Sequence, residues 1–247
     1  MTNATESREE SLACIEYLWR LFLWVENMLP GPAEIAAAAV SLTREGLLLQ
    51  SLLASLGRVA CGLGLGFAIG VPLGLVSGAS RIAELIFDKP AQMLRAIPFN
   101  ALAPLLIILL GVGEPMKISL IVIGVFVPLY LNTRSGVLHF DAKLLELSRA
   151  YRMPWPVVAW HILLKGVLPS ILTGLRFACA IAWIALVSCE TVNAKSGIGY
   201  MLYRAQTFAR MDEEMVCILL YAILGLASDA LVRLLEKAVT QWKQKGD

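Results

Sequence analysis

The chain has 247 residues, of which 58% are hydrophobic and 16% charged, with a mean hydropathy of +0.71. An average soluble domain carries roughly 25% charged residues, so composition favours a polytopic membrane protein. A net charge of +2, with no basic stripe interleaved with aromatics, is too small to argue for a nucleic-acid partner.

The N-terminus MTNATESREE is polar and slightly acidic, the opposite of the basic start of a cleaved signal peptide. Residues 12–29 are apolar but carry Glu16, Arg20 and Glu26 within barely one bilayer length, so an interfacial amphipathic helix competes with a marginal first span. The LPGP break at 29–32 ends it, and residues 33–53 read as an amphipathic connector with Arg44 and Glu45 at its polar turn. Residues 59–79 form the first clear span. It contains Gly62, Gly66, Gly70, Gly74 and Gly78, one every fourth residue, so one ridge of the helix lacks side chains. Lipid supplies no hydrophobic force between helices, and close backbone approach is what such a ridge offers, so the ridge is expected to pack against a neighbour. Pro72 predicts a local kink.

Residues 80–95 read as a polar connector bearing Arg81, Lys89 and Arg95. Residues 97–112 and 118–131 are short for spans, are interrupted by Pro98, Pro104 and Pro128, and are joined by the polar turn 113–117, which suggests a transmembrane hairpin. Such broken segments either line a pathway, where free carbonyls face water, or are packed helices that the prolines merely curve.

The polar stretch 141–166 reads as a bent knob. Asp141 caps a helix with Leu144, Leu145 and Leu147 on one side and Lys143, Glu146 and Arg149 on the other. Pro154 disfavours helix at Met153, Pro156 suits a first turn, the run 157–165 continues, and Gly166 reads as a stop. A further span follows at 168–192. It carries Arg176, placed to snorkel, and Glu190, which either lines a pathway exit or caps a network with the next loop. Residues 194–215 form a second polar connector in which Gly197 and Gly199 of SGIGY suit a turn, and 216–232 is the last span, with Asp229 and Arg233 at pairing distance.

The expected fold is therefore all-α: a polytopic membrane helical bundle of five core transmembrane helices plus a marginal N-terminal helix, with a helix-break-helix loop. The division is 1–53 for the N-terminal segment, 54–238 for the transmembrane domain with the knob at 139–166, and 239–247 for the tail. Lys and Arg number twelve in the connectors on the knob's side and five in the alternate set, which puts the knob in the cytoplasm. The tentative pathway residues are Pro98, Asn100, Trp183, Glu190 and Asn193.

The five cysteines (Cys14, Cys61, Cys179, Cys189, Cys217) fall singly in apolar runs, so they read as buried small hydrophobes, with no metal site. No GxxxxGK[ST] and no HExxH occurs, and His139 and His161 read as solvated or packing residues, so an enzyme reading lacks chemistry. A secondary transporter would be expected to show intramembrane ionisable residues and a second repeat.

ELSRAYRMPWPVVAWHILLKGVLPSILTGLR (146–176) resembles the EAA loop of permease subunits of ABC importers, the cytoplasmic element that docks on the ATP-hydrolysing partner. The similarity extends through SCETVNAKSGIGYMLYRAQTF (188–208) and IPFNALAPLLIILLGVGEPMKISLIVIGVFVPLYLNT (97–133) to the nitrate, sulfonate and taurine branch, most nearly to aliphatic sulfonate permeases. It implies a homodimer with a second permease copy, two ATP-binding subunits, an extracytoplasmic solute-binding protein and a place in the bacterial inner membrane. It also implies a small organic anion as solute, an aliphatic sulfonate or a taurine-like compound, with nitrate or bicarbonate as the alternative. ATP and Mg would be used by the partner ATPase, and no cofactor would be bound by this chain. The coupling residues carried over are Glu146, Ser148, Arg149, Ala150 and Arg152. Leu147 and Ser148 stand where the motif has alanines, Arg152 where it has glycine, and Lys165 where it has the first proline of a pair. Pro154 and Pro156 are expected to impose the bend in place of that glycine, leaving Arg152 free for a charge contact.

Overall fold

The computed structural model describes residues 30–239, all of whose regular elements are helical. The expected helix at 12–29 and the tail beyond 239 lie outside them. In order the helices are α1 (Pro32–Arg44), α2 (Leu47–Ala79), α3 (Arg81–Ala96), α4 (Phe99–Leu110), α5 (Glu114–Leu138), α6 (Ala142–Ala150), α7 (Trp155–Val157), a π-helical stretch (Val158–Leu163) running straight into α8 (Leu164–Asn193), α9 (Ile198–Thr207) and α10 (Met211–Val239).

Among the described residues four helices are long and apolar enough to cross a membrane: Leu47–Ala79, Glu114–Leu138, Val158–Val192 and Met211–Val239. The number rises to five if the bent pair Arg81–Ala96 with Ala101–Leu110, turning by 116°, counts as one broken span. At 1.5 Å per residue the 12 residues of α4 reach only about 18 Å, so α4 crosses only together with α3.

The core is built on α5, which lies between α2 and α8. The glycine ridge of α2 runs parallel to α5 in one continuous register: Gly62 faces Ile121, Gly66 Val125, Gly70 Leu129, Gly74 Thr133 and Gly78 Val137. A Cβ at Gly74 would lie 2.8 Å from both Thr133 Cβ and the Tyr130 carbonyl oxygen. Ordinary carbon contacts sit at roughly 3.5–4.0 Å, so the helices are closer than any side-chained ridge permits. On its other flank α5 meets α8 antiparallel, with Gly136 against Ser170 and Gly174 against Asn132 and the Pro128 carbonyl. Met116, Leu120, Ile121, Val125, Leu129, Val167, Ala178, Ala182 and Leu186 fill this core. A second cluster joins α1, α9 and α10 through Ala38, Leu42, Ile198, Met201, Val216 and Cys217.

Several expectations are corrected. The stretch 80–95 is a helix, not a connector. Its acidic face turns inward, Glu84 and Asp88 meeting Arg134 of α5 at 2.6 and 3.4 Å, while Ile82, Leu85, Ile86 and Met93 point outward. The connectors at 33–53 and 194–215 likewise contain α1 and α9. Gly166 is no helix stop: the helix continues through it, and a Cβ there would collide with the Phe140 ring. Cys179, Cys189 and Cys217 are buried, but Cys61 is exposed on the outward side of α2.

Candidate functional site

At the end of the bundle away from α6, polar side chains from three helices and one loop converge on Arg58. Its Nε and Nη2 donate to the two oxygens of Glu114 at 2.7 and 2.8 Å, and Nη1 donates to Glu190 Oε1 at 2.6 Å. Nη1 also reaches the Ser196 carbonyl at 2.8 Å, and Nη2 reaches Ser196 Oγ at 3.2 Å. All five N–H donors of the guanidinium are thereby engaged. Lys117 Nζ donates to Glu114 Oε1 at 2.9 Å, so two cations balance two carboxylates.

Glu190 has a side chain with 0% exposure against 7% for Arg58. It accepts from Ser55 Oγ at 2.9 and 3.0 Å and from the Gly199 N–H at 2.8 Å, while the Ile198 N–H donates to Ser55 Oγ at 2.9 Å. The loop hugs this carboxylate because it has no side chains there: Gly197 sits at φ +123°, and a Cβ on either Gly197 or Gly199 would strike Glu190. Of the two readings open for Glu190, the geometry is that of the network with the following loop. The arrangement fastens α2, α5 and α8 to the α8–α9 turn, and no acid-base or nucleophilic constellation is present in it.

The other tentative pathway residues are scattered. Trp183 is buried, donates from Nε1 to Ser228 Oγ at 2.9 Å, and meets Tyr221 edge-on with ring centroids 6.4 Å apart. Pro98 precedes α4 at the bend, Asn100 lies in the first turn of α4, and Asn193 ends α8. Arg176 does not snorkel alone: it pairs with Asp229, which also binds Arg233 at 2.7 Å. Among the described residues no cluster of His, Cys, Asp and Glu could hold a metal ion.

At the opposite end stands the knob. Asp141 Oδ1 caps α6 by accepting from the Lys143 N–H at 2.9 Å. The helix ends at Arg152, whose φ is +50°, with the Met153 N–H closing back on the Ser148 carbonyl at 3.0 Å. That is the closure usually built with glycine in the left-handed position, and an L side chain there costs about 1–2 kcal/mol. The expectation that the prolines replace the motif glycine is therefore corrected: Pro154 prevents continuation, and Arg152 itself makes the turn. Glu146 and Ala150 are exposed, Ser148 is buried, and α6 holds Arg149. Around them Leu144, Leu147, Tyr151, Met153 and Trp160 are all exposed, an apolar surface with charges at its rim.

Residues 70–241 match the family described as the binding-protein-dependent transport system inner membrane component. The chain belongs to this family of membrane permeases. It is 40% identical over 220 residues to the putative aliphatic sulfonates transport permease protein SsuC of Escherichia coli K12, covering 89% of this chain and 84% of that one. Against the protein of the same description from Bacillus subtilis 168 it is 37% identical, covering 88% and 79%. The nitrate import permease protein NrtB of Synechocystis is 28% identical, covering 95% and 89%. Among solved structures, a chain of the MetNI methionine ABC transporter in an inward-facing conformation superposes with a TM-score of 0.64 at 21% identity, covering 80% of this chain and 98% of that one. A chain of an amino acid ABC transporter with histidines gives a TM-score of 0.67 at 14% identity, covering 81% and 97%. The permease thus lies in the sulfonate, taurine and nitrate branch and is a multi-pass membrane protein of a class that is not enzymatic.

No local motif in the permease's sequence marks Arg58, Ser55, Glu114 and Lys117 as a site. One signal for Arg58 was present: it lies four residues before Gly62, in register with the glycine ridge.

Proposed function

We propose that this chain is the membrane-spanning subunit of an ATP-driven importer of a small organic anion, an aliphatic sulfonate or taurine-like solute. The observation that carries the reading is the 37–40% identity to two sulfonate permeases over nearly nine tenths of the chain. Two copies pair, two ATP-binding subunits dock on the knobs, and a solute-binding protein delivers from the opposite face. ATP and Mg belong to the docked subunits, and this chain holds neither. Taking Arg81, Lys89 and Arg95 of α3 out of the connector count leaves nine basic residues against five, which supports a cytoplasmic knob in the inner membrane. Glu146, on the exposed side of α6, offers a carboxylate for charge-assisted bonds to the ATPase, with Ser148, Arg149, Ala150 and Arg152 shaping the contact. ATP binding would draw the knobs together, and the spans would rock about the tight α2–α5 and α5–α8 faces.

Arg204 and Arg210 are both paired with Glu213, at 3.2 and 2.6 Å, and Glu213 holds the Arg210 guanidinium above its ordinary pKa. The experiment is uptake of labelled alkanesulfonates, taurine, nitrate and bicarbonate in a strain lacking this chain, with and without its ATPase. ATPase-dependent sulfonate uptake restored by the chain supports the reading. Restoration of nitrate or bicarbonate uptake alone would move the solute to an inorganic oxyanion.

A further inference from the structure

We propose that a cavity between α3, α5 and α8 is a transit site for an amphiphilic monoanion, the charged head on Arg95 and the alkyl chain on an apolar wall. This rests on the importer reading and specifies where in the permease such a solute would bind. The cavity has a volume of about 410 Å³, within the roughly 300–1,000 Å³ usual for small-molecule sites. Arg95, Asn132, Val127, Leu131, Phe177 and Ile181 line it. Val127 and Leu131 lie near the centre of α5 and Phe177 and Ile181 near the centre of α8, so the cavity sits about midway between the knob and the Arg58 cluster.

Arg95 is the basic residue that lines this cavity. Arg58, Lys117, Arg134 and Arg176 each face a carboxylate. Arg95 has no hydrogen bond or ion pair among the described residues, and it stands where α3 gives way through the 116° bend to α4. Arg95 is exposed on the open side of this groove, where a solute can reach it, and broken helices are where transporters place solute. Asn132 spends one amide N–H on the Pro128 carbonyl at 2.8 Å, which leaves its second N–H and its oxygen for a ligand.

The chemistry selects the ligand class. A guanidinium presents parallel N–H donors to two oxygens of a sulfonate, an anion that stays charged at any physiological pH. The Val127, Leu131, Phe177 and Ile181 wall has nothing to offer nitrate but can cover a hydrocarbon tail, where each buried methylene strengthens binding about fourfold.

The test is equilibrium binding of labelled methane-, butane- and hexanesulfonate to the permease-ATPase complex, without binding protein, in phosphatidylcholine nanodiscs. Wild type should bind hexanesulfonate more tightly than methanesulfonate. Arg95→Gln should weaken every sulfonate at least tenfold, Arg95→Lys less, and Arg81→Gln not at all. Phe177→Ala should weaken hexanesulfonate several-fold while leaving methanesulfonate unchanged. Co-elution of each variant permease with its ATPase on size-exclusion chromatography, at the wild-type position, reports intact assembly. Unaltered binding in Arg95→Gln, or no chain-length dependence in wild type, overturns the site. So does an Arg95 effect confined to nanodiscs containing phosphatidylglycerol, which would make the occupant a lipid headgroup. A wild-type complex that takes up no sulfonate even with its binding protein would instead remove the importer reading beneath it.

Discussion

Replacing single glycines of α2 by alanine tests the α2–α5 contact quantitatively, because the helix carries its own internal control. Gly64 lies on the same helix, but a Cβ there meets nothing within 4 Å. At Gly74 the added carbon would lie 2.8 Å from the Tyr130 carbonyl oxygen, a backbone atom that cannot turn aside. At Gly70 the nearest atoms are 3.1 and 3.2 Å away. Both substitutions gain the same helix propensity, about 0.8–1.0 kcal/mol, so that gain cancels in the comparison. What remains is overpacking, typically about 1–3 kcal/mol. Gly74→Ala should therefore be less stable than Gly64→Ala by about that amount, with Gly70→Ala between them and Gly70→Leu failing to assemble. Thermal unfolding in one detergent, followed by size-exclusion chromatography, measures it. Equal midpoints for Gly64→Ala and Gly74→Ala would show that the two helices do not meet along this ridge.

Removing one member of the buried cluster leaves its partner charged and unpaired, so Arg58→Ala or Glu190→Ala should each destabilise by about 3–5 kcal/mol, and Ser55→Ala by about 1 kcal/mol, in the same unfolding assay. Arg58→Ala and Glu190→Ala combined should cost less than their sum. Arg152→Gly should raise stability by about 1 kcal/mol, since glycine takes φ +50° without penalty, and should keep ATP hydrolysis coupled to uptake. Pro154→Ala with Pro156→Ala should let α6 run on into α7 and uncouple hydrolysis from uptake in reconstituted vesicles, without loss of assembly. In detergent, with Cys14 replaced, maleimide should label Cys61 and spare Cys179, Cys189 and Cys217 until the protein unfolds.

The features legible in the sequence were those written in local periodicity. The glycine series announced a packed ridge because its spacing repeats unchanged for four turns, and the Pro154 break announced the knob because proline acts on its immediate neighbour. The features that escaped depend on partners distant in sequence. Arg58 stands one residue before the apolar run that carries the ridge, and nothing local says that the carboxylates it meets, Glu114 and Glu190, are 56 and 132 residues away. The charges of α3 suggest a water-exposed connector, whereas Arg134 of α5 receives Glu84 and Asp88 against the bundle. Gly166 looked like a helix terminus, since local rules cannot foresee that Phe140 takes the space of its missing side chain. Local rules give the bend to the prolines, and the left-handed Arg152 shows that a break and a turn are separate requirements met by separate residues.

The central claim is that this permease moves a sulfonate only when ATP is hydrolysed on the knob side. Its most direct test is accumulation of labelled hexanesulfonate in vesicles reconstituted with the permease and its ATPase, with the binding protein on the outside and ATP with Mg inside. Accumulation that requires both ATP and the binding protein, and that is lost on Glu146→Ala, is the predicted result. Accumulation driven by an ion gradient with no ATP present would contradict it.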